Sequence, residues 1–125
     1  MPCFRVSIGV FLVTVLAGCS SSSPTPSTPT PSAPAAVTVT IPPGASTLGT
    51  AAFVPNPVTV SVGTTVTWSN TDPVSSSHDI VADNGAWDSG LIVNGVRYSF
   101  TFQSRGTFPF HCSRHPTMVG TVVAQ

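Results

Sequence analysis

The sequence predicts an all-β domain, an antiparallel β-sandwich of about seven or eight strands. Apolar and polar residues alternate in short runs after Ala36, which is the pattern of half-buried strands. Gly, Pro, Asn and Asp punctuate those runs, as turns require. No window carries sustained helical periodicity. The chain has 125 residues, room for one domain, which the alternation assigns to residues 37–125. Residues 1–18 read as an export signal and residues 19–36 as a tether.

Taken in order, the N-terminus holds a single charge, Arg5, before an apolar run from Val6 to Ala17. That run is far short of the ~20 residues that span a bilayer as a helix, so it reads as the h-region of a signal peptide. It closes with Leu16-Ala17-Gly18-Cys19, which resembles the bacterial lipoprotein processing box. The resemblance implies that Cys19 is lipidated and becomes the first mature residue, and that Ser20 directs the protein to an outer membrane in a cell that has one. An ordinary cleaved signal with Cys19 incidental is the alternative. Several acyl chains on Cys19 would hold the protein at a membrane surface, facing the periplasm or the exterior, because one chain alone binds only marginally. Cys3 leaves with the signal, and Cys112 is then the only thiol of the folded part. A disulfide with one odd thiol left over is the competing use of three cysteines.

From Ser20 to Ala36 the chain is Ser, Thr, Pro and Ala, with prolines at 24, 26, 29, 31 and 34. Such a stretch forms no apolar face and behaves as a semi-rigid extended spacer of ~3.1 Å per residue, a reach of roughly 50 Å. Its hydroxyls are candidate sites for sugars.

Within the domain, Val37, Val39 and Ile41 share one face, as do Val58, Val60 and Val62. Val66 and Trp68 follow, and Asn70-Thr71-Asp72-Pro73 reads as a turn. His78, Ile80 and Ala82 lie on one face and Asp79 and Asp83 on the other. Tyr98, Phe100 and Phe102 form an aromatic inward row, and Phe108 and Phe110 a second. Period two extends that second row to Cys112 and turns His111 to the opposite face. His111 therefore reads as a strand-surface histidine and His78 as the head of a buried row. So small a domain buries a modest core, which its tryptophans and phenylalanines supplement, so the metal-free form is expected to fold.

Charge is sparse. After the signal, three arginines (Arg97, Arg105, Arg114) oppose four aspartates (Asp72, Asp79, Asp83, Asp88), a net charge of −1 with histidines neutral, and Lys and Glu are absent. Nucleic-acid binding needs a basic patch that this composition lacks. Strong electrostatic steering is equally disfavoured, so docking is expected to be apolar.

Cys112, His115 and Met118 fall within seven residues, as Cys-Ser-Arg-His-Pro-Thr-Met. One tight turn would aim all three at a point, with Cys112 ending a strand, His115 in the loop and Met118 opening the last strand. A thiolate, two imidazoles and a thioether are the ligands of a blue-copper site, with His78 completing the His₂Cys plane and methionine weakly on the axis. A lone inward histidine is more often a satisfied core residue, and it is the downstream cluster that brings His78 into the set.

The chain resembles the small blue copper proteins of the cupredoxin family, the plastocyanin/azurin group. The resemblance runs through Phe53-Val54-Pro55, Val66-Thr67-Trp68-Ser69-Asn70, Trp87-Asp88-Ser89-Gly90-Leu91, Gly106 to Cys112, and Gly120-Thr121-Val122. The short Cys-x₂-His-x₂-Met loop is similar to that of amicyanin. This implies a Greek-key β-sandwich holding one type 1 copper ion near one end, with His78, Cys112 and His115 equatorial and Met118 axial. It implies a one-electron carrier, not an enzyme, with His115 as the electron exit and an apolar rim for docking. Expected partners are redox proteins, such as an exported cytochrome or copper protein, and a monomer is expected. It also implies that, in the reduced state, His115 could leave Cu(I) and take a proton in mildly acidic solution. Two positions depart from the family pattern. Asp79 stands where relatives often have Asn, and Arg114 where amicyanin-like loops often have Pro, so both bear on the potential.

Two other readings use the same residues. A copper scavenging or delivery protein needs the ligands but no redox partner. A Cys-His nucleophile needs an accessible thiolate beside its base, which a Cys112 at the end of a buried aromatic row does not offer. Copper oxidases and nitrite reductases need more histidines than the three present. Zinc could occupy such a site in a purified sample.

Overall fold

The computed structural model describes residues 35–73 and 77–125. The signal, Cys19 and nearly all of the tether lie outside the described residues. Seven strands form two sheets: β1 (Ala36–Ile41), β2 (Val58–Val60), β3 (Thr65–Asn70), β4 (Val81–Ala82), β5 (Arg97–Thr101), β6 (Gly106–Cys112) and β7 (His115–Ala124). One sheet has the order β1-β3-β5 and the other β2-β7-β6-β4. Strands up to β5 alternate between the sheets, the crossed connectivity of a Greek-key sandwich, and the all-β prediction holds.

Two pairings differ from the antiparallel expectation, because β1 pairs β3 and β2 pairs β7 in parallel. Parallel neighbours need a long crossover, and residues 42–64 and 61–114 provide it by passing through the opposite sheet. Strand β1 also begins one residue inside the expected tether, at Ala36, and the Ala35 carbonyl accepts a hydrogen bond from the Thr65 N–H at 3.0 Å. Val62 is exposed rather than inward, since β2 has ended and the chain turns at Gly63, whose φ is +90°. Among the described residues the helical content is two 3₁₀ turns, Ala45–Thr47 and Gly49–Ala52. They are too short for a periodicity argument to detect.

The predicted alternation sets the core. Val39 and Ile41, Val58 and Val60, and Val66 and Trp68 are all buried, with Ile80, Ala82, Phe102 and Phe110. Trp68 is the hub: its ring meets Phe110 edge-on at 5.4 Å and lies 6.0 Å from both Trp87 and Tyr98. Phe53 closes on Phe110 from the other side at 4.9 Å. Each such aromatic ring removes roughly 150–250 Å² from water, several kcal/mol at about 25 cal/mol per Å². Tyr98, Phe100 and Phe108 pack against this core half-buried.

One cross-strand pair requires glycine. Phe110 lies opposite Gly120, and its ring covers the backbone so closely that a Cβ at 120 would stand 2.3 Å from a ring carbon. This fixes the Phe110 ring two residues before Cys112.

Candidate metal centre

Three segments meet at the site: the end of β6, the start of β7 and the stretch that carries His78. Strand β6 ends at Cys112, which pairs directly with His115, the first residue of β7, so the connection is only Ser113-Arg114. His115 therefore opens the last strand instead of sitting in a loop, and Met118 lies inside it, buried. A register shift between His111 and Cys112 interrupts the ladder there. Such a bulge re-aims the side chains beyond it, and Cys112 is fully buried.

His78 belongs to no regular strand. Strand β4 is only Val81–Ala82, and His78 sits ahead of it in an isolated bridge to Ile92, with His78 N–H donating to Ile92 O at 3.1 Å and Ile92 N–H to His78 O at 2.8 Å. The inward row nevertheless holds, because His78, Ile80 and Ala82 are all buried.

These elements bring His78, Cys112 and His115 together, with one donor atom of each within 4.8 Å of the others. His78 Nδ1 stands 3.9 Å and His115 Nδ1 3.6 Å from Cys112 Sγ. The two rings are 5.0 Å apart and tilted by 53°. His78 and Cys112 are buried, whereas His115 is half-buried. His111 stays out of the group, as period two required; its Nδ1 lies 2.6 Å from Asp83 Oδ1 on the outer face.

The surroundings hold the sulfur and the turn. Burial pushes the Cys112 thiol above its ordinary pKa, opposed only in part by N–H groups of Asp79, Arg114 and His115 directed at the sulfur. Asp79 also grips the turn: its Oδ1 accepts the Ser113 N–H at 2.6 Å, and its Oδ2 accepts the Ser113 hydroxyl. Burial works to raise the Asp79 carboxyl, but the Ser113 and Cys112 hydrogen bonds and the Arg114 charge outweigh it and hold the group below its ordinary value. The sequence marked Asp79 and Arg114 as departures, and the structure places both beside the Cys112–His115 turn.

His78 has a second partner on its other ring nitrogen. Nε2 lies 3.3 Å from Asp72 Oδ2, and both side chains are fully buried. The sequence reads Asp72 as part of a turn, and its signal for a role here is a carboxylate six residues before the histidine.

The donor set fits copper. One sulfur and two imidazole nitrogens in a buried cluster, with a buried thioether three residues beyond His115, suit a soft metal. Among the described residues no carboxylate joins this cluster, whereas calcium and magnesium are held by oxygen ligands. A thiol that burial keeps protonated becomes a thiolate when a cation replaces its proton.

A family model described as "Copper binding proteins, plastocyanin/azurin family" matches residues 44–125. The chain is 34% identical over 100 residues to plastocyanin of Scenedesmus fuscus, covering 70% of this chain and 99% of that protein. It is 36% identical over 69 residues to amicyanin of Paracoccus denitrificans, a match spanning 53% of each, so the chain aligns with about half of that relative's length. Among solved structures, a purple cupredoxin from Nitrosopumilus maritimus superposes with a TM-score of 0.64 at 32% identity, over 71% of this chain and 99% of that one.

Proposed function

The chain belongs to the plastocyanin/azurin family of copper-binding proteins, as a small blue copper protein with one type 1 copper, and from that premise we propose that it carries single electrons. His78 and His115 through Nδ1 and Cys112 through Sγ would hold the copper, with the Met118 thioether as the further ligand. The observation that carries this reading is the convergence of those three donors within 4.8 Å of one another, two of them buried and the third half-buried. Bound there, copper supplies a one-electron couple.

The protein's part is to hold the donors still. The Asp79 grip on Ser113, the two-residue turn and the Ile92 bridge behind His78 fix the three donors from separate elements. Ligands that do not move between oxidation states impose little reorganisation on the transfer. His115, the half-buried donor, is the electron exit. The exposed Leu48, which precedes the 3₁₀ turn packed on β7, and Val119 on β7 itself offer apolar surface for a partner.

Nothing in the donor set calls for an enzyme. The buried Cys112 with its raised pKa is a poor nucleophile. We assign residues 1–18 to an export signal, Cys19 to lipidation and the stretch up to residue 35 to a tether, an arrangement that would hold the carrier at the cell envelope. Stopped-flow mixing of the copper-loaded protein with a reduced exported c-type cytochrome tests the carrier role. Rapid cytochrome oxidation with copper retained is expected. Absence of electron exchange, with copper instead passing to an acceptor, would support delivery.

A further inference from the structure

We propose that Asp72 is the positioning residue for the metal site: its buried carboxylate fixes the ring of His78 and offsets the positive charge of the oxidised centre. The inference rests on His78 serving as a copper ligand.

Asp72, His78, Ile92 and Asn70 form a closed ring of hydrogen-bonded groups. Asp72 Oδ2 lies 3.3 Å from His78 Nε2. The backbone of His78 is bridged to Ile92 in both directions. The Ile92 carbonyl also accepts the Asn70 side-chain N–H at 2.9 Å, and Asn70 Oδ1 accepts the Asp72 N–H at 2.8 Å. Asn70 is further held through its own backbone, donating to Val96 O at 3.1 Å and accepting from Gly95 N–H at 2.8 Å. Asn70, Asp72 and His78 are at most 1% exposed. The imidazole is therefore fixed at its backbone and at its far nitrogen by one network anchored to the end of β3.

Two consequences follow. A carboxylate accepts hydrogen bonds and donates none when ionised, so Asp72 places the ring hydrogen on Nε2 and leaves the Nδ1 lone pair facing Cys112 Sγ. The carboxylate partner of a metal-bound histidine sets ring orientation and raises ligand basicity in the same way. The second consequence concerns charge. A cupric ion with one thiolate carries a net +1, which Asp72 brings to zero, while the cuprous state becomes net negative. Asp72 thus favours the oxidised state and lowers the reduction potential. Asp79 acts on the same site through the turn, whereas Asp72 meets the His78 ring at its far nitrogen.

The test compares wild type with Asp72→Asn, which keeps the size and an acceptor oxygen but loses the charge. Copper(II) affinity, measured by competition with a chelator, should fall about 10–100-fold, and by more than copper(I) affinity, so that the potential rises while the blue band persists. Unchanged affinities and potential in a folded variant would overturn the proposal. Independently of the variant, ¹⁵N NMR of metal-free wild type should show His78 protonated on Nε2, and protonation on Nδ1 alone would also overturn it. A wild type that is blue beside an unaltered variant refutes only the role of Asp72. A wild type that takes copper without turning blue refutes the site reading and the inference together.

Discussion

Asp79 ties two properties of the site together. Its carboxylate holds the ligand turn through Ser113 while its backbone N–H points at the Cys112 sulfur. Because its folded pKa lies below the unfolded value, its contribution to stability is complete above the ordinary carboxyl range and disappears as pH falls through the folded value. Metal-free wild type should therefore exceed Asp79→Asn in urea midpoint at neutral pH, and the difference should shrink below about pH 4, where carboxyls protonate. A difference that does not change with pH would show that the carboxylate charge plays no part. At this scale the sequence revealed the chemistry of the donors but not their partners. Cys112, His115 and Met118 announce themselves by spacing, and His111 excludes itself by period two. Asp72 could not be seen, because a carboxylate in an Asn-Thr-Asp-Pro stretch looks like a solvated turn, and burial depends on where the chain leads afterwards.

Strands β6 and β7 are the elements that place the sulfur. Their pairing sets Phe110 on Gly120, and the same hairpin ends in the Cys112–His115 pair. An alanine at 120 would collide with a ring already enclosed by Trp68 and Phe53. Gly120→Ala should destabilise the domain by about 1–3 kcal/mol, the usual cost of overpacking, read as a lower urea midpoint with unchanged slope. A neutral substitution would mean that the ring moves aside freely. Strand faces were legible because hydrophobic alternation is local, whereas strand order and direction were not. The parallel β1/β3 and β2/β7 pairs arise from crossovers between sheets, and no local pattern encodes them. His78 shows the same limit: its inward direction followed from period two, but the element holding it is a bridge to Ile92, fourteen residues further on in the sequence.

For the molecule as a whole, the core and the metal centre are separable. The aromatic cluster around Trp68 and the buried valines join the two sheets, and most of these side chains are not among the donors. The hydrophobic stabilisation therefore exists before any ion binds, in contrast to small domains that fold only on metal. Metal-free protein should give a cooperative thermal melt at neutral pH, and copper should raise its midpoint by mass action. A metal-free form without a cooperative transition would contradict a preformed scaffold.

The central claim is that Cys112 and two histidines from distant stretches close around one copper ion. Adding copper(II) to the purified protein and recording the visible spectrum tests it most directly. An intense thiolate-to-copper band that saturates at one equivalent and is absent from Cys112→Ala is expected. A colourless wild type, or a band that survives loss of Cys112, would contradict it.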